Sequence, residues 1–188
     1  MFIVKKKYFF FVENTKNINF NNIKKLNKFN IIYRTKEIKE KVTALLKFRN
    51  TCKKYRINLY IANHLRLVKY LDADGLYISA YNNNLRYTNL KNLNYKIIGS
   101  AHNIKEIQIK KMQGCTTIFI SRLFKTNYKN KYGHLGLVKY NLFANNDFLA
   151  PLGGINKSNL NYLRNIKCNS FALSSAFIND NSISKLLY

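Results

Sequence analysis

The chain has 188 residues, of which 47% are hydrophobic, so it can bury the core of one domain and wholesale disorder is excluded. Its formal net charge of +25 is compatible with nucleic acid, an anionic membrane surface or phosphorylated substrates as partners. The lysines are scattered and form no single block, and they accompany Asn, Ile, Tyr and Phe, which share AT-rich codons. We therefore attribute most of the excess charge to base composition and do not expect a nucleic-acid partner.

The cysteines and the first residues indicate where the protein works. Cys52, Cys115 and Cys168 form no Cys-x-x-Cys pair, which disfavours zinc or a disulfide framework and indicates a reducing compartment. The apolar run that follows the first lysines is too short for a signal peptide and is better interpreted as a strand. No stretch approaches the roughly 18 apolar residues of a membrane span. We expect a cytoplasmic protein with no membrane partner.

Short apolar runs rich in aromatic or β-branched residues recur along the chain and predict eight strands. They are Tyr8–Val12, Ile31–Tyr33, Leu59–Ile61, Gly75–Ile78, Ile97–Gly99, Thr117–Ile120, Phe148–Leu152 and Ser170–Leu173. Helical spacing separates most of them, as in Glu37–Tyr55, where one side carries Ile38, Val42, Leu45, Leu46 and Cys52. Asn19–Asn30 predicts the weakest helix. Eight strand-helix repeats predict one domain over residues 1–188, a compact (β/α)8 barrel.

In such a barrel the functional residues follow the carboxyl ends of the strands. The residues at these places are cations, hydroxyls and amides: Arg34 and Lys36, then Asn63 and His64, a polar run over 79–84, Ser100 and His102, and finally Arg122, Thr126 and Lys129. Arg and Lys neutralise oxyanions, and backbone N–H groups orient them. This set predicts a ligand that carries phosphate.

The last two strands run into small residues. Gly153 and Gly154 follow the seventh strand, and Ser174 and Ser175 follow the eighth. Small side chains let a ligand oxyanion approach backbone N–H groups at a helix start. We interpret these turns as a phosphate site, although Gly153-Gly154 is also compatible with a tight turn and Ser174-Ser175 with plain helix capping.

These positions carry a resemblance to the thiamine phosphate synthase / TenI family. Seven segments, in the right order and spanning strands two to eight, are similar to family motifs: Ile32-Tyr33-Arg34-Thr35-Lys36 to Q-L-R-x-K, Leu59–Asn63 to the strand that ends in Asn-Asp, Ala73–Tyr77 to A-D-G-V-H, Ile98–His102 to G-x-S-x-H, Phe124–Lys129 to F-P-T-x-T-K, Gly153-Gly154-Ile155 with Asn159 to G-G-I-x-x-x-N, and Ala172–Phe177 to A-V-V-S-A-I. Each motif alone is weak, whereas the ordered set is fairly specific.

The resemblance implies a transferase of thiamine biosynthesis that joins a pyrimidine methyl pyrophosphate to a thiazole phosphate and releases pyrophosphate. It assigns catalytic roles at the departing pyrophosphate to Arg34, Lys36, Ser100 and Lys129. It assigns substrate binding to Asn63, Thr126, Gly154, Ser174 and Ser175, and Arg122 adds a cation to this set. Fixed cations at a leaving group that gathers charge lower the barrier most.

The chain departs from the family at the metal. The family's synthases hold Mg²⁺ with two aspartates, and these positions carry His64 and Asn82, which replace hard carboxylate oxygens poorly. We therefore predict no metal site on the protein, and Mg²⁺ only with the substrate pyrophosphate. The TenI-type tautomerases use a histidine where this chain has Arg122. Two alternatives to a transferase stay open: a non-catalytic barrel that binds a phosphorylated thiazole or thiamine compound for delivery or regulation and, less favoured, an RNA-binding protein.

Overall fold

A computed structural model describes residues 7–22, 28–37, 39–121, 123–124, 148–155 and 168–174. Eight parallel strands close into a barrel in chain order, and β8 pairs with β1 to complete it. The strands are β1 (Lys7–Val12), β2 (Phe29–Tyr33), β3 (Asn58–Ala62), β4 (Gly75–Ile78), β5 (Lys96–Ala101), β6 (Thr117–Ser121), β7 (Leu149–Leu152) and β8 (Ser170–Ser174). Each predicted run overlaps one of these strands. The (β/α)8 barrel is confirmed.

Helices connect the strands on the outside of the barrel. In the described ranges these are α1 (Val42–Lys54), α2 (Leu65–Tyr70) and α3 (Ile104–Met112), with 3-10 turns at Thr15–Asn17, Phe20–Asn22 and Leu85–Leu93. Of the helix predicted over Asn19–Asn30, the structure describes only the turn at Phe20–Asn22, and residues 23–27 lie outside the described residues. No helix among the described residues has the length and apolar character needed to cross a membrane.

Helix α1 starts later than its sequence pattern predicts, at Val42 instead of Glu37. The Glu40 carboxylate accepts hydrogen bonds from the Thr15 backbone N–H (3.1 Å) and from the hydroxyls of Thr15 (2.6 Å) and Tyr33 (2.8 Å). These bonds hold the chain ahead of α1 against β2. Val42 is consequently 43% exposed, contrary to its predicted place on the apolar side, whereas Leu45 and Cys52 are buried as predicted. Ile38 lies outside the described residues.

Aromatic rings fill the inside of the barrel. The ring centroid of Phe9 lies 5.0 Å from that of Phe119 and 5.8 Å from that of Tyr60, and one layer higher Phe11 packs 5.3 Å from Tyr77. Small residues face these rings from the last two strands, Ala150 on β7 and Ala172 on β8. Large and small side chains therefore interdigitate, and the inside of the barrel is a packed core.

Candidate active site

A cavity of about 740 Å³ opens at the carboxyl ends of the strands. It is lined by Glu13, Asn14, Arg34, Thr35, Lys36, Glu37, Lys39, Tyr77, Ser79, Ala80, Tyr81, Ser100, His102, Ser121 and Leu152. A neighbouring cavity of about 400 Å³ lies between the segments that follow β2 and β3 and contains Asn63 and His64. The two cavities share a wall made of Thr35, Lys36, Glu37 and Tyr81. Six of the predicted strand-end residues, Arg34, Lys36, Asn63, His64, Ser100 and His102, therefore line this double cavity.

The two cations that follow β2, Arg34 and Lys36, lie on the wall of the larger cavity. The Arg34 backbone N–H donates to the carbonyl of Val12 at 2.8 Å, which extends the β1–β2 ladder by one residue. The Arg34 guanidinium carbon stands 5.1 Å from the centre of the Phe11 ring, a cation–π contact that orients it over the barrel. The Lys36 side chain is exposed and lines both cavities. Both cations are accessible to an anion in the mouth of the barrel, the end of the barrel that contains these two cavities.

Ser100 forms part of the cavity floor. Its Oγ accepts a 2.7 Å hydrogen bond from the hydroxyl of Tyr77, and both residues are buried. Burial raises the pKa of Tyr77, while the hydrogen bond to Ser100 and the nearby Arg34 guanidinium act in the opposite direction. Tyr77 remains protonated at neutral pH, and because it donates to Ser100, the Ser100 hydroxyl has its own proton to donate into the cavity.

Asn63 is the centre of a hydrogen-bond network that joins the ends of β3 and β4. Its amide nitrogen donates to Ser79 Oγ (2.7 Å) and Tyr81 Oη (3.0 Å). Its amide oxygen accepts from the Ser79 backbone N–H (3.0 Å) and from Asn82 Nδ2 (3.1 Å). The side chain thus uses two donors and two acceptor positions within the protein. The predicted contact between Asn63 and substrate stays a prediction, and it requires one of these bonds to be exchanged.

The two positions where the resemblance places metal-binding aspartates are engaged elsewhere. His64 is the N-cap of α2, where its Nδ1 accepts from the Leu67 backbone N–H at 3.2 Å. Asn82 donates to Asn63, and its Oδ1 accepts from the Asn84 backbone N–H at 3.1 Å. Among the described residues, no group of three or more His, Cys, Asp or Glu side chains lies together. These side chains carry no carboxylate and already hydrogen-bond within the protein, so they do not fit a Mg²⁺ site.

The first small-residue turn is a close backbone contact. Gly153 and Gly154 have φ values of +93° and +70°, and a Cβ on Gly154 would lie 2.5 Å from the carbonyl oxygen of Phe124. The Gly153 carbonyl accepts from the Phe124 N–H at 3.2 Å. These contacts agree with the tight-turn interpretation, and of this segment only Leu152 lines the larger cavity. A phosphate role for Gly154 stays a prediction.

Other predicted residues lie beyond the described part of the site. Arg122, Thr126, Lys129 and Ser175 are outside the described residues, and Ser174 is described only as the backbone end of β8, opposite Phe11. Their roles stay predictions. His102, one of the predicted strand-end residues, has its Nδ1 3.0 Å from Glu106 Oε2.

Sequence reasoning missed two residues near the mouth. Tyr81 lies within the predicted polar run over 79–84, and the available signal was an aromatic residue three positions after a strand end. Lys110 gave no signal, because a lysine on an amphipathic helix is normally solvated. Its side chain is inaccessible to solvent, and its Nζ donates to the Asn82 carbonyl (2.6 Å) and to Gln113 Oε1 (3.0 Å). Gln113 Nε2 donates to the same carbonyl at 2.8 Å.

The closed parallel barrel and its cationic mouth define the class: a (β/α)8 barrel protein with a large cavity at the carboxyl ends of the strands. Solved barrels share this fold. A thiamine phosphate pyrophosphorylase from Pyrococcus furiosus superposes with a TM-score of 0.69 at 17% identity, over 98% of this chain and 92% of that one. A 3-hexulose-6-phosphate synthase gives a TM-score of 0.71 at 10% identity, over 96% and 97%.

The family model described as thiamine monophosphate synthase matches residues 21–177, so the chain belongs to the thiamine monophosphate synthase (TMP-TENI) family. A thiamine-phosphate synthase from Prochlorococcus marinus is 30% identical over 154 residues, which are 79% of this chain and 44% of the relative. A thiamine-phosphate synthase from Clostridioides difficile is 25% identical over 150 residues, 78% of this chain and 71% of that protein. The chain thus spans less than half the length of the Prochlorococcus relative.

Proposed function

We propose that this chain is a thiamine phosphate synthase-like transferase acting on phosphorylated small molecules in the cytoplasm. In the reaction, the methylene carbon of a pyrimidine methyl pyrophosphate leaves the pyrophosphate oxygen and bonds to the ring of a thiazole phosphate. The observation that carries the proposal is the cavity at the strand ends, which has Arg34 and Lys36 on its wall and Ser100 at its floor. Family membership supports the same reaction.

The chain's own residues have distinct tasks in this proposal. Arg34 and Lys36 bind the pyrophosphate and stabilise the charge that it gathers as the carbon–oxygen bond breaks. Ser100, oriented by Tyr77, donates a hydrogen bond to the same group. Lys129 and Arg122 add positive charge, while Thr126, Gly154, Ser174 and Ser175 hold the thiazole phosphate. Asn63 keeps the two loops together and contacts the substrate when one of its internal bonds exchanges.

Mg²⁺ enters this proposal only as a counter-ion of the substrate pyrophosphate. The side chains of His64 and Asn82 provide no carboxylate to anchor it, so the cations carry most of the neutralisation of the pyrophosphate. We therefore expect the wild-type rate to depend only shallowly on Mg²⁺. A double variant, His64→Asp with Asn82→Asp, should show a steep Mg²⁺ dependence and a higher rate at saturating Mg²⁺.

The test is a turnover assay with both substrates and a Mg²⁺ titration on the wild type and the double variant. Arg34→Met should lower kcat/KM by about a hundredfold, as expected for loss of one preorganised charge partner. Arg66→Met is the matched control, because Arg66 is exposed on α2 and lines neither cavity. Unfolding midpoints of all variants are measured as well, since Asn82→Asp removes a donor to Asn63. Absence of turnover in both wild type and double variant would refute the transferase.

A second function, binding of a phosphorylated thiazole or thiamine compound without turnover, is favoured by one observation. At the positions of the metal-binding aspartates, His64 and Asn82 carry no carboxylate and are already used for a helix cap and a loop contact. Calorimetry with thiazole phosphate and with the free thiazole alcohol tests it. A binder without turnover should take the phosphate far more tightly than the alcohol; equal affinities would exclude a phosphate site for either function.

A further inference from the structure

Tyr81 has an unusual position among the exposed aromatic residues that the structure describes. Its side chain is 80% exposed and forms part of the wall shared by both cavities of the mouth. Tyr70, 62% exposed on α2, lines neither cavity. A ligand that covered this ring would remove its apolar surface from water.

A hydrogen bond to the Tyr81 hydroxyl holds the ring in place. Tyr81 Oη accepts from Asn63 Nδ2 at 3.0 Å, so the hydroxyl is anchored while the ring stays open to solvent. The residues on both sides of Tyr81 are fixed as well. The Ser79 backbone N–H donates to Asn63 Oδ1, and the Asn82 carbonyl accepts from Lys110 and Gln113. An anchored ring on a fixed loop loses little conformational entropy when a ligand covers it.

Positively charged side chains line the same cavities as the Tyr81 ring. Lys36 shares the wall with Tyr81, and Arg34 lines the larger cavity. Glu37 also belongs to this wall, and its carboxylate is 3.6 Å from Lys39 Nζ. A ligand that meets both Tyr81 and the cations must combine a flat ring with an anionic group.

We propose that Tyr81 is a stacking platform for the aromatic ring of a phosphorylated heterocycle whose anionic group lies on Lys36 and Arg34. The inference rests on the proposed function for the identity of the heterocycle, namely the pyrimidine methyl pyrophosphate substrate. Thiamine phosphate contains the same pyrimidine, with its phosphate at the thiazole end, and serves as the probe for the ring. The phenol ring binds the heterocycle face, and its contribution is absent for inorganic pyrophosphate, which has no ring.

Calorimetry with thiamine phosphate and with inorganic pyrophosphate distinguishes the contribution of ring stacking to affinity from that of the cations. Tyr81→Ala should weaken thiamine phosphate binding by about fivefold to tenfold and leave pyrophosphate binding within about twofold. Tyr81→Phe keeps the ring without the hydroxyl and should stay within about twofold of wild type for both ligands. Equal losses for both ligands, or Tyr81→Ala binding like wild type, would overturn the platform.

The chain contains no tryptophan, which provides a direct optical test. In Tyr81→Trp, the single indole should be quenched by thiamine phosphate and unaffected by inorganic pyrophosphate. Tyr70→Trp is the matched control and should respond to neither ligand, because Tyr70 lies away from both cavities. Unchanged emission of Tyr81→Trp at saturating thiamine phosphate overturns the proposal.

The two proposals fail in different ways. If thiamine phosphate binds and quenches Tyr81→Trp but no turnover occurs, the platform is supported and the transferase fails. If turnover occurs, but Tyr81→Trp is not quenched by thiamine phosphate or Tyr81→Ala binds it like wild type, the transferase is supported and the platform is overturned. If wild type does not bind thiamine phosphate at all, the platform is overturned, and the turnover assay alone decides the transferase.

Discussion

Two ion pairs of equal length differ in burial, and burial determines how much each pair contributes to the free energy of unfolding. Arg49 Nη1 to Asp74 Oδ2 and Lys53 Nζ to Asp72 Oδ2 are both 2.6 Å, and both cations lie on α1. The Arg49 side chain is only 7% exposed, whereas the Lys53 and Asp72 side chains are 48% and 78% exposed. Asp74 Oδ2 also accepts from the Leu59 backbone N–H at 2.7 Å, so the first pair ties α1 to the start of β3.

We predict that Arg49→Met lowers the free energy of unfolding by about 2 to 3 kcal/mol, because it leaves the partly buried Asp74 carboxylate without its cation. The measurement is urea unfolding followed by circular dichroism. Lys53→Met is the control and should leave the midpoint essentially unchanged, since water and salt screen the exposed pair. Equal effects of the two substitutions would contradict the dependence on burial.

At the scale of elements, α3 holds the loop that follows β4. The buried Lys110 and Gln113 both donate to the Asn82 carbonyl, and Gln113 Nε2 also donates to the Asn84 carbonyl at 3.0 Å. Burial lowers the pKa of Lys110. Hydrogen bonds to the Asn82 carbonyl and to Gln113 Oε1 offset the cost of burying the Lys110 side chain. The hydrogen bonds to the Asn82 carbonyl also attach α3 to the loop that follows β4.

Lys110→Met should therefore loosen the loop while its apolar stem still fills the space. Protection of the Ser79 and Asn82 amides against hydrogen exchange should fall by about tenfold, since a hydrogen bond from a charged donor contributes about 1.5 to 3 kcal/mol. Lys105→Met, on the exposed side of the same helix, is the control and should not change this protection. Unchanged exchange in Lys110→Met would show that Gln113 alone holds the loop.

For the whole molecule, the aromatic filling of the barrel makes stability depend on pH. Burial raises the pKa of Tyr60 and of Tyr77 inside the barrel, and burial together with Glu40 raises that of Tyr33. Below pH 10 these phenols are protonated in both the folded and the unfolded chain. Above pH 10 the unfolded chain loses these protons and the folded chain keeps them, so stability falls as pH rises.

We expect the free energy of unfolding to decline above pH 10, with each such tyrosine adding a slope of about 1.4 kcal/mol per pH unit. Denaturant unfolding between pH 8 and pH 11 measures it. Tyr60→Phe should reduce the slope relative to wild type, because Tyr60 is 3% exposed. Tyr70→Phe, at an exposed tyrosine, should retain the full slope, and a profile that stays flat to pH 11 in wild type would be inconsistent with buried phenols.

Local sequence was sufficient for the barrel and for part of its mouth. The eight strands follow from short apolar runs, and a parallel sheet places the residue after each strand at one end, which brings Arg34, Lys36 and Ser100 together. The start of α1 was wrong by five residues because Glu40 bonds to Thr15, 25 positions away in the chain. Periodicity within a window carries no information about such a partner.

The sequence by itself determined the fold class, the family resemblance and which residue types surround the mouth, since these depend on periodicity and on motifs within a few residues. Only the tertiary structure decided what those residues do with their hydrogen bonds. Asn63 meets Ser79 and Asn82 across separations of 16 and 19 residues, and Lys110 reaches the Asn82 carbonyl across 28. Closure of the barrel brings these groups together, and that closure is a property of all eight strands at once.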